Sequence, residues 1–355
     1  MLARLSVSRR ACAIGGVVAV LVAVGSLTRY EIGQRRPLAV PNPGLAPVGP
    51  KTPCIYARQT VSILDQVQQV LGRTFNCSLV YNNAAPDWNS WATPWFTVLA
   101  DQDHNWANWV KAGAGRMLIV SQSMVPDDVP KDWAQRGAAG EYDDHARVLA
   151  SKLVAAGLGN SIIRLAHEAN GSGTQDVLGT TAKDQEAWRT YWARMAGVMK
   201  SVPGASFRFD WTIAAWNRDI PFDNYYPGDA AVDIIGIDFY DSFGTRRQAF
   251  ANAGDRWQTQ YTWPSGPGEL LAFAGRHHKP LSIPEWGLVK ASTGGAGDNP
   301  TYIENMAALV RDNNVSYQAY WVNDQTDVLP LSADVPKSLA AYKAHFGTGG
   351  DAVGR

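Results

Sequence analysis

Two acidic residues stand where a folded chain rarely leaves a charge without purpose. Residues 161–171 read SIIRLAHEANG: the apolar run Ile162-Ile163-Arg164-Leu165-Ala166 stops at His167-Glu168-Ala169-Asn170-Gly171. Continuous β-formers running into polar residues and a glycine predict a buried parallel strand whose C-terminal end meets solvent. Ligands of α/β folds gather at that end, and an ionised Glu there carries a desolvation cost unless it is partnered. Residues 280–288, PLSIPEWGL, repeat the pattern around Glu285. An ordinary ion pair explains either Glu taken singly. Two strand-end carboxylates are what glycosidic hydrolysis requires, one as proton donor and one as nucleophile or base. They lie 117 positions apart, room for three βα units between them.

The elements that must position this pair follow from hydrophobic periodicity. Strands are expected at 54–57, 78–81, 116–120, 161–166, 207–213, 232–239, 281–284 and 316–322. Helices are expected at 62–71, with Ser62 as N-cap, and at 142–156, 181–200, 268–277, 299–312 and 338–346. A long Trp-rich connection, 82–115, should hold short helices, and 241–268 is irregular. Eight strands with mostly helical crossovers predict an α/β fold, a single (β/α)8 barrel domain over residues 54–346 with its site on the loops after the strands. A doubly wound open sheet is the alternative, weakened because no Gly-rich phosphate loop follows the first strand.

Each later strand end brings further polar or aromatic groups. His167 and Asn170 follow strand four, Trp211 and Trp216 belong to strand five, and Asp238, Tyr240 and Asp241 close strand six. Trp286 follows Glu285, and Trp321 ends strand eight. The chain holds 14 Trp, many beside Asn or Asp. Half-exposed indoles in such company suit sugar rings, with their apolar C–H face and hydroxyl rim. His167, Asn170, Trp211, Trp216, Asp238, Tyr240, Trp286 and Trp321 are therefore the candidate substrate contacts, with Trp321 as the floor of the cleavage subsite. His167 with Asp238, Asp241 or His277-His278 is a weaker metal reading, because no two-His zinc spacing appears. No metal or other cofactor is expected. A Ser-His-Asp hydrolase would need a G-x-S-x-G turn that the sequence lacks.

Composition narrows the class. Of 355 residues, 46% are hydrophobic and 18% charged, enough apolar content for a substantial core. Residues 1–50 hold six Arg and one acid, leaving 26 basic and 31 acidic residues in the remainder. A mildly acidic globular part gives no electrostatic case for nucleic acid. Arg4, Arg9 and Arg10 precede the apolar run 11–27, which reads as a secretory signal or an uncleaved membrane anchor over residues 1–28. Residues 29–53, with six prolines, read as a linker, and the Gly-rich stretch 347–355 as a disordered tail. The protein is expected outside the cytoplasm, secreted or anchored on the outer side of the cytoplasmic membrane, and monomeric. In that compartment Cys54 and Cys77, at the starts of strands one and two, are expected to form a disulfide, two free buried thiols being the weaker alternative.

Three ordered motifs carry a family resemblance. His167-Glu168-Ala169-Asn170-Gly171 resembles the acid/base motif of glycoside hydrolase family 26, the β-mannanases and related β-glycanases. Tyr226-Pro227-Gly228-Asp229, with the run from Val232 to Asp241, is similar to that family's sixth-strand segment, and Pro284-Glu285-Trp286-Gly287 to its nucleophile motif. The resemblance spans about residues 54–346. It implies a (β/α)8 barrel acting with retention on a β-linked polysaccharide or oligosaccharide, with Glu168 as acid/base and Glu285 as nucleophile. It also implies His167 beside the acid/base and Tyr240 in reach of the nucleophile. Where the mannanases continue into aromatic residues, this chain has Ser172-Gly173-Thr174-Gln175, so a preference for mannan is not carried over. The alternatives are a barrel that binds carbohydrate or remodels the cell envelope with little hydrolysis, and a hydrolase of another glycosidase family.

Overall fold

A computed structural model describes residues 52–82, 85–171, 176–215, 220–243, 250 and 252–347. The expected signal or anchor, nearly all of the linker, Trp216, the Ser172–Gln175 departure and residues 348–355 lie outside the described residues. No helix among the described residues is long and apolar enough to cross a membrane.

Among these residues eight parallel strands close a (β/α)8 barrel: β1 (Thr52–Ala57), β2 (Cys77–Asn82), β3 (Met117–Gln122), β4 (Ile162–Leu165), β5 (Arg208–Ala214), β6 (Ile234–Asp241), β7 (Leu281–Val289) and β8 (Val315–Val322). Neighbours pair in sequence, β1 also pairs β8, and a β6–β7 pairing completes the ring. All eight expected strands are present. β1 begins at Thr52, two residues before the expected boundary, with Thr52 and Pro53 in register with Tyr317 and Gln318. β7 runs past the expected end to Val289, so Glu285 lies within a strand. A short antiparallel strand, β9 (Val328–Leu329), pairs with Leu288 and Val289 beyond it.

The crossovers are helical except between β5 and β6, where the described residues hold only a single 3-10 turn at Phe222–Asn224. The first helix, α1 (Val61–Leu71), starts after Thr60, so Ser62 is not its cap; the Ser62 hydroxyl donates instead to Asp103. The Trp-rich connection after β2 holds α2 (Trp88–Trp91), α3 (Trp95–Val98) and α4 (Trp106–Lys111), and α5 (Trp133–Ala138) and α6 (Asp143–Ala155) follow β3. The 19-residue α7 (Ala182–Lys200) is capped by Thr181, whose side chain accepts from Asp184 N, and it buries Trp188, Tyr191, Trp192 and Met195 against the barrel. After β6, the stretch expected to be irregular forms α8 (Ala253–Thr262) ahead of α9 (Pro267–Arg276), while α10 (Pro300–Asp312) and α11 (Pro336–Phe346) flank β8.

Strand alternation divides the apolar residues into two cores. The larger lies between barrel and helices. The smaller fills the floor of the barrel with Cys54, Tyr56, Cys77, Leu79, Ile119, Ile162, Ile234, Tyr317 and Ala319. Cys54 and Cys77 form a disulfide across the paired β1 and β2, Cα atoms 4.5 Å apart, closing a 23-residue separation around α1. Loop-closure entropy for such a length gives about 3 kcal/mol. The Cys54→Ala/Cys77→Ala variant is expected to lose that much, read as a lower urea midpoint with a steeper slope, because the unfolded chain without the crosslink exposes more surface; an unmoved midpoint would remove the bridge from the stability account.

Candidate active site

Above that floor the barrel interior turns polar. Asp210 of β5 is fully buried and accepts hydrogen bonds from Thr212 (2.8 Å), Ser282 (2.6 Å) and Tyr317 (2.5 Å). Room for this cluster comes from Gly236 on β6, where a Cβ would sit 2.5–2.6 Å from Ser282 Oγ, Asp210 Oδ1 and Thr212 Oγ1.

The next layer up is centred on Arg164, wholly buried on β4. Its guanidinium donates to Thr212 Oγ1 (3.3 Å), Ser121 Oγ (3.0 Å) and Glu285 Oε1 (2.6 Å), and it pairs with Asp238 Oδ2. One planar cation thus ties β3, β5, β6 and β7 together, a task suited to the fixed fork of arginine.

Glu285 reaches this layer through an irregularity. Ser282 and Glu285 both face inward although they are three residues apart, a spacing that strict alternation would put on opposite faces. The register against β6 advances four residues on β7 (282 to 286) for three on β6 (236 to 239). Against β8 it advances three (283 to 286) for two (318 to 320). One extra residue in β7 at Pro284-Glu285 is a bulge, a place where proline's missing N–H is tolerated, and it turns the carboxylate into the barrel.

Glu168 arrives by a different device. Ala166 and Glu168 both take left-handed backbone conformations, φ +49° and +55°, at a cost of about 1–2 kcal/mol each. Hydrogen bonds from Ala166 N to Gln122 O (2.8 Å) and from Glu168 N to Thr212 O (3.0 Å) hold them there. The turn places Glu168 over the barrel, half-buried, within hydrogen-bonding reach of Asp238. One carboxylate oxygen from each of Glu168, Asp238 and Glu285 lies within 4.8 Å of the others.

The charges are unequal by construction. Burial, with the negative charge of Glu285, pushes Glu168 up to about 7 against the pull of Arg164. Burial also pushes Asp238 up, opposed by Arg164 and reinforced by Glu285 and Glu168. Both carboxyls of the facing pair Glu168–Asp238 are thus displaced toward their neutral forms. Asp238 Oδ1 is buried with no N–H or O–H donor among the described residues. Burial pushes Glu285 up as well, but the Arg164 charge and hydrogen bonds from Tyr81 and Arg164 outweigh it and hold its carboxyl below the usual range. His167 is driven down to about 3 by burial and by Arg164, so its imidazole is neutral at pH 7. The three carboxylates have the spacing of a divalent-cation site, and Arg164 already supplies a cation to two of them.

Four partly exposed side chains ring the buried Glu285: Tyr81, Glu168, Tyr240 and Trp321. Tyr240 donates to Glu285 Oε2 at 2.8 Å and Tyr81 to Oε1 at 2.6 Å. Trp321 stacks on Tyr56 (4.9 Å, 10°) and turns an edge to Tyr240. His167 packs edge-on against Tyr81. The barrel thus brings together Glu168, Glu285, His167, Asp238, Tyr240 and Trp321.

Three expected contacts are corrected. Trp211 points outward from β5, 1% exposed, among Phe222, Tyr225, Tyr226 and Phe273. Trp286 points outward from β7, fully buried among Tyr302, Tyr320, Tyr342 and Phe346, and donates to Gln318 Oε1. Both neighbour inward-facing residues, and alternation sends them to the helix layer. Asn170 is also fully buried; its side-chain amide donates to Ala214 O (2.8 Å) and accepts from Ala214 N (2.9 Å), clamping the end of β5 rather than facing the mouth. Tyr81 was not expected in the site. The signal for it was available, because Cys77, Leu79 and Tyr81 alternate onto one face of β2 and Tyr81 lies nearest the mouth.

No family model matches the sequence, and no curated protein matches it. Solved structures do match in fold. A mannanase from Bacillus subtilis is 14% identical over 82% of this chain and 84% of its own, with a TM-score of 0.55. A modular endo-β-1,4-mannanase from Cellulomonas fimi, described with the glycoside hydrolase family 26 mannanases, is 17% identical over 80% and 66%, with a TM-score of 0.53. A fungal β-1,4-galactanase is 14% identical over 77% and 89%, with a TM-score of 0.50. At these identities the likeness is one of fold.

Proposed function

We propose that the chain is an exported retaining β-glycanase of the glycoside hydrolase family 26 type, hydrolysing a β-linked polysaccharide of mannan- or glucan-like character by double displacement. One observation carries this reading: oxygens of Glu168 and Glu285 lie within 4.8 Å of each other at the barrel mouth, one carboxyl biased toward its acid form and the other toward its anion. Retaining enzymes hold the two groups about 5–5.5 Å apart, whereas inverting ones leave roughly 6.5–9.5 Å for a water.

In the first step Glu285 attacks the anomeric carbon as the bond to the leaving sugar oxygen breaks, and the Glu168 proton passes to that oxygen. The glycosyl ester on Glu285 carries no charge, so the repulsion that raised Glu168 disappears and its carboxylate becomes stable. Glu168 then takes a proton from water, the resulting oxygen attacks the anomeric carbon, and Glu285 leaves as a carboxylate. Trp321, held against Tyr56, offers the apolar face for the sugar in this step. The fold likeness to mannanases and a galactanase supports the substrate class. The Arg-led apolar N-terminus and the Cys54–Cys77 bridge support export.

The test is a panel of β-mannans, β-glucans and β-galactans incubated with the full chain, read as released reducing ends and as the anomeric configuration of first products by NMR. Turnover of at least one with retained configuration is expected. Inverted product would end the double-displacement assignment, and binding without cleavage across the panel would leave a carbohydrate-binding barrel in place of the enzyme.

A further inference from the structure

We infer that Tyr81 is a positioning residue for the nucleophile, its hydroxyl accepting the indole proton of Trp321 and committing its own proton to Glu285, so that the sugar-facing wall and the reacting carboxylate are joined by one directed hydrogen-bond chain. The inference rests on the reading of Glu285 as nucleophile and deepens it.

The direction follows from donor chemistry. An indole N–H can only donate, and Trp321 Nε1 lies 3.0 Å from the Tyr81 hydroxyl. The phenol oxygen must therefore accept there. Its single proton is left for Glu285 Oε1, 2.6 Å away. A lone tyrosine could point its proton elsewhere; this one is constrained from both sides.

Tyr81 is itself held in place. Its backbone N donates to Gln59 Oε1 (2.6 Å), its carbonyl accepts from Trp95 Nε1 (2.8 Å), and its ring sits edge-on to Tyr56 and His167. Gln59 follows Arg58, and both take left-handed conformations, φ +58° and +50°. That strained loop after β1 presents its side-chain oxygen to Tyr81 and is fixed by Trp106 Nε1 donating to Gln59 O.

The consequence at the carboxylate is asymmetric. Oε1 accepts from both Arg164 and Tyr81 at 2.6 Å, while Oε2 accepts from Tyr240 alone among these donors, at 2.8 Å. Oε1 has both lone pairs engaged, and Oε2 keeps one for the anomeric carbon. Tyr81 and Arg164 together thus select the attacking oxygen.

Titration reads this chain directly. The groups facing Glu285 are Arg164, His167 and Glu168 from β4 and its turn, Asp238 and Tyr240 from β6, Tyr56 from β1 and Tyr81 from β2. Every one except Tyr81 is unchanged in the variants proposed.

The experiment is a carboxyl-carbon NMR titration of Glu285 in the full chain labelled at Glu carboxyls. The signal is assigned by its loss in Glu285→Gln. Tyr81→Phe keeps the ring contacts and is expected to raise the Glu285 midpoint by about one pH unit, the worth of a hydrogen bond to a charged group. Trp321→Phe should raise it by a smaller amount, and the double variant should match Tyr81→Phe alone. An unmoved midpoint in Tyr81→Phe would overturn the inference, as would a Trp321→Phe effect that persists in full when Tyr81 is already Phe. Trp321→Phe tests the chain from its far end should Tyr81→Phe fold poorly. The titration needs no turnover, so its outcome is read separately from that of the polysaccharide panel. On a hydrolysed glycan, Trp321→Phe should lower kcat and raise KM in the parent but change only KM in the Tyr81→Phe background.

Discussion

Glu285→Gln is expected to cut kcat on the order of 10⁴-fold or more, and Glu168→Gln about 10²–10⁴-fold, with both variants folded. The difference is in what each replacement removes. In the proposed mechanism Gln at 285 deletes the group that forms the glycosyl ester. Gln at 168 removes a proton donor, which matters in proportion to how badly the leaving group needs a proton. On an aryl glycoside whose leaving group departs as a stable anion, the first step in Glu168→Gln should run near the parent rate while the second stays slow, and product should appear as a burst. Equal losses on both substrates would reverse or erase the assigned roles. The pH profile follows with its sign fixed. Activity needs Glu168 protonated, so kcat/KM falls as pH rises through about 7. It needs Glu285 ionised, so the acid limb lies below the usual Glu range. Part of the Glu168 shift comes from the Glu285 charge, so Glu285→Gln should lower the Glu168 midpoint. A Glu168 midpoint indifferent to Glu285 would mean the two carboxyls are farther apart than 4.8 Å in solution.

Much of the fold could be read from periodicity because each barrel strand is buried on both faces and bounded by polar turns. Ser161 to Gly171 shows why Glu168 was legible as a residue of the candidate site: an apolar run stops, and a titratable residue stands just past it. Glu285 was legible by the same contrast, but the bulge that aims it was not, since only the register with Ser282 and Gln318 reveals the extra residue. Trp211 and Trp286 mark where placement by strand misled. Their strands end at the mouth, yet each is adjacent in its strand to an inward-facing side chain, and alternation sends it to the helix layer. Asn170 failed for another reason. A polar residue after a strand reads equally as ligand contact or backbone clamp, and the partner that decides between them, Ala214, is 44 residues away. Tyr81 was missed although alternation with Cys77 and Leu79 turns it inward at the mouth end of β2; its partners Glu285 and Trp321 appear only when β2 is closed against β7 and β8 through the barrel.

Arg164→Met should be the most damaging substitution to stability, lowering it by about 3–5 kcal/mol at pH 7, although methionine matches the stem of arginine and adds no polar group. The cost arises from what is left behind: Asp238 and Glu285, almost wholly buried, would face each other with Glu168 nearby and no cation between them. In the parent the folded Glu285 value lies below its ordinary 4.5, so its contribution to stability is present above 4.5 and is lost as pH falls through the depressed value. Without Arg164 the sign reverses. For Glu285 burial then outweighs the hydrogen bonds left from Tyr81 and Tyr240, its carboxyl joins that of Asp238 above the unfolded value, and the variant is penalised increasingly as pH rises through the ordinary carboxylate range. The stability gap between the two proteins should therefore be small near the depressed Glu285 value and widen toward neutrality. Urea unfolding at several pH values measures it, and a gap independent of pH would assign the loss to packing instead of charge. Activity reports the same change from the other side: the acid limb of kcat/KM should move up by about 1–3 units. Arg164→Lys separates charge from geometry. An ammonium restores a cation but not the fork that reaches Glu285 through one nitrogen and Asp238 through another. It should recover part of the stability while leaving Oε1 of Glu285 or Oδ2 of Asp238 short of a donor, and full recovery would show that net charge alone, not the paired geometry, holds Glu285 ionised.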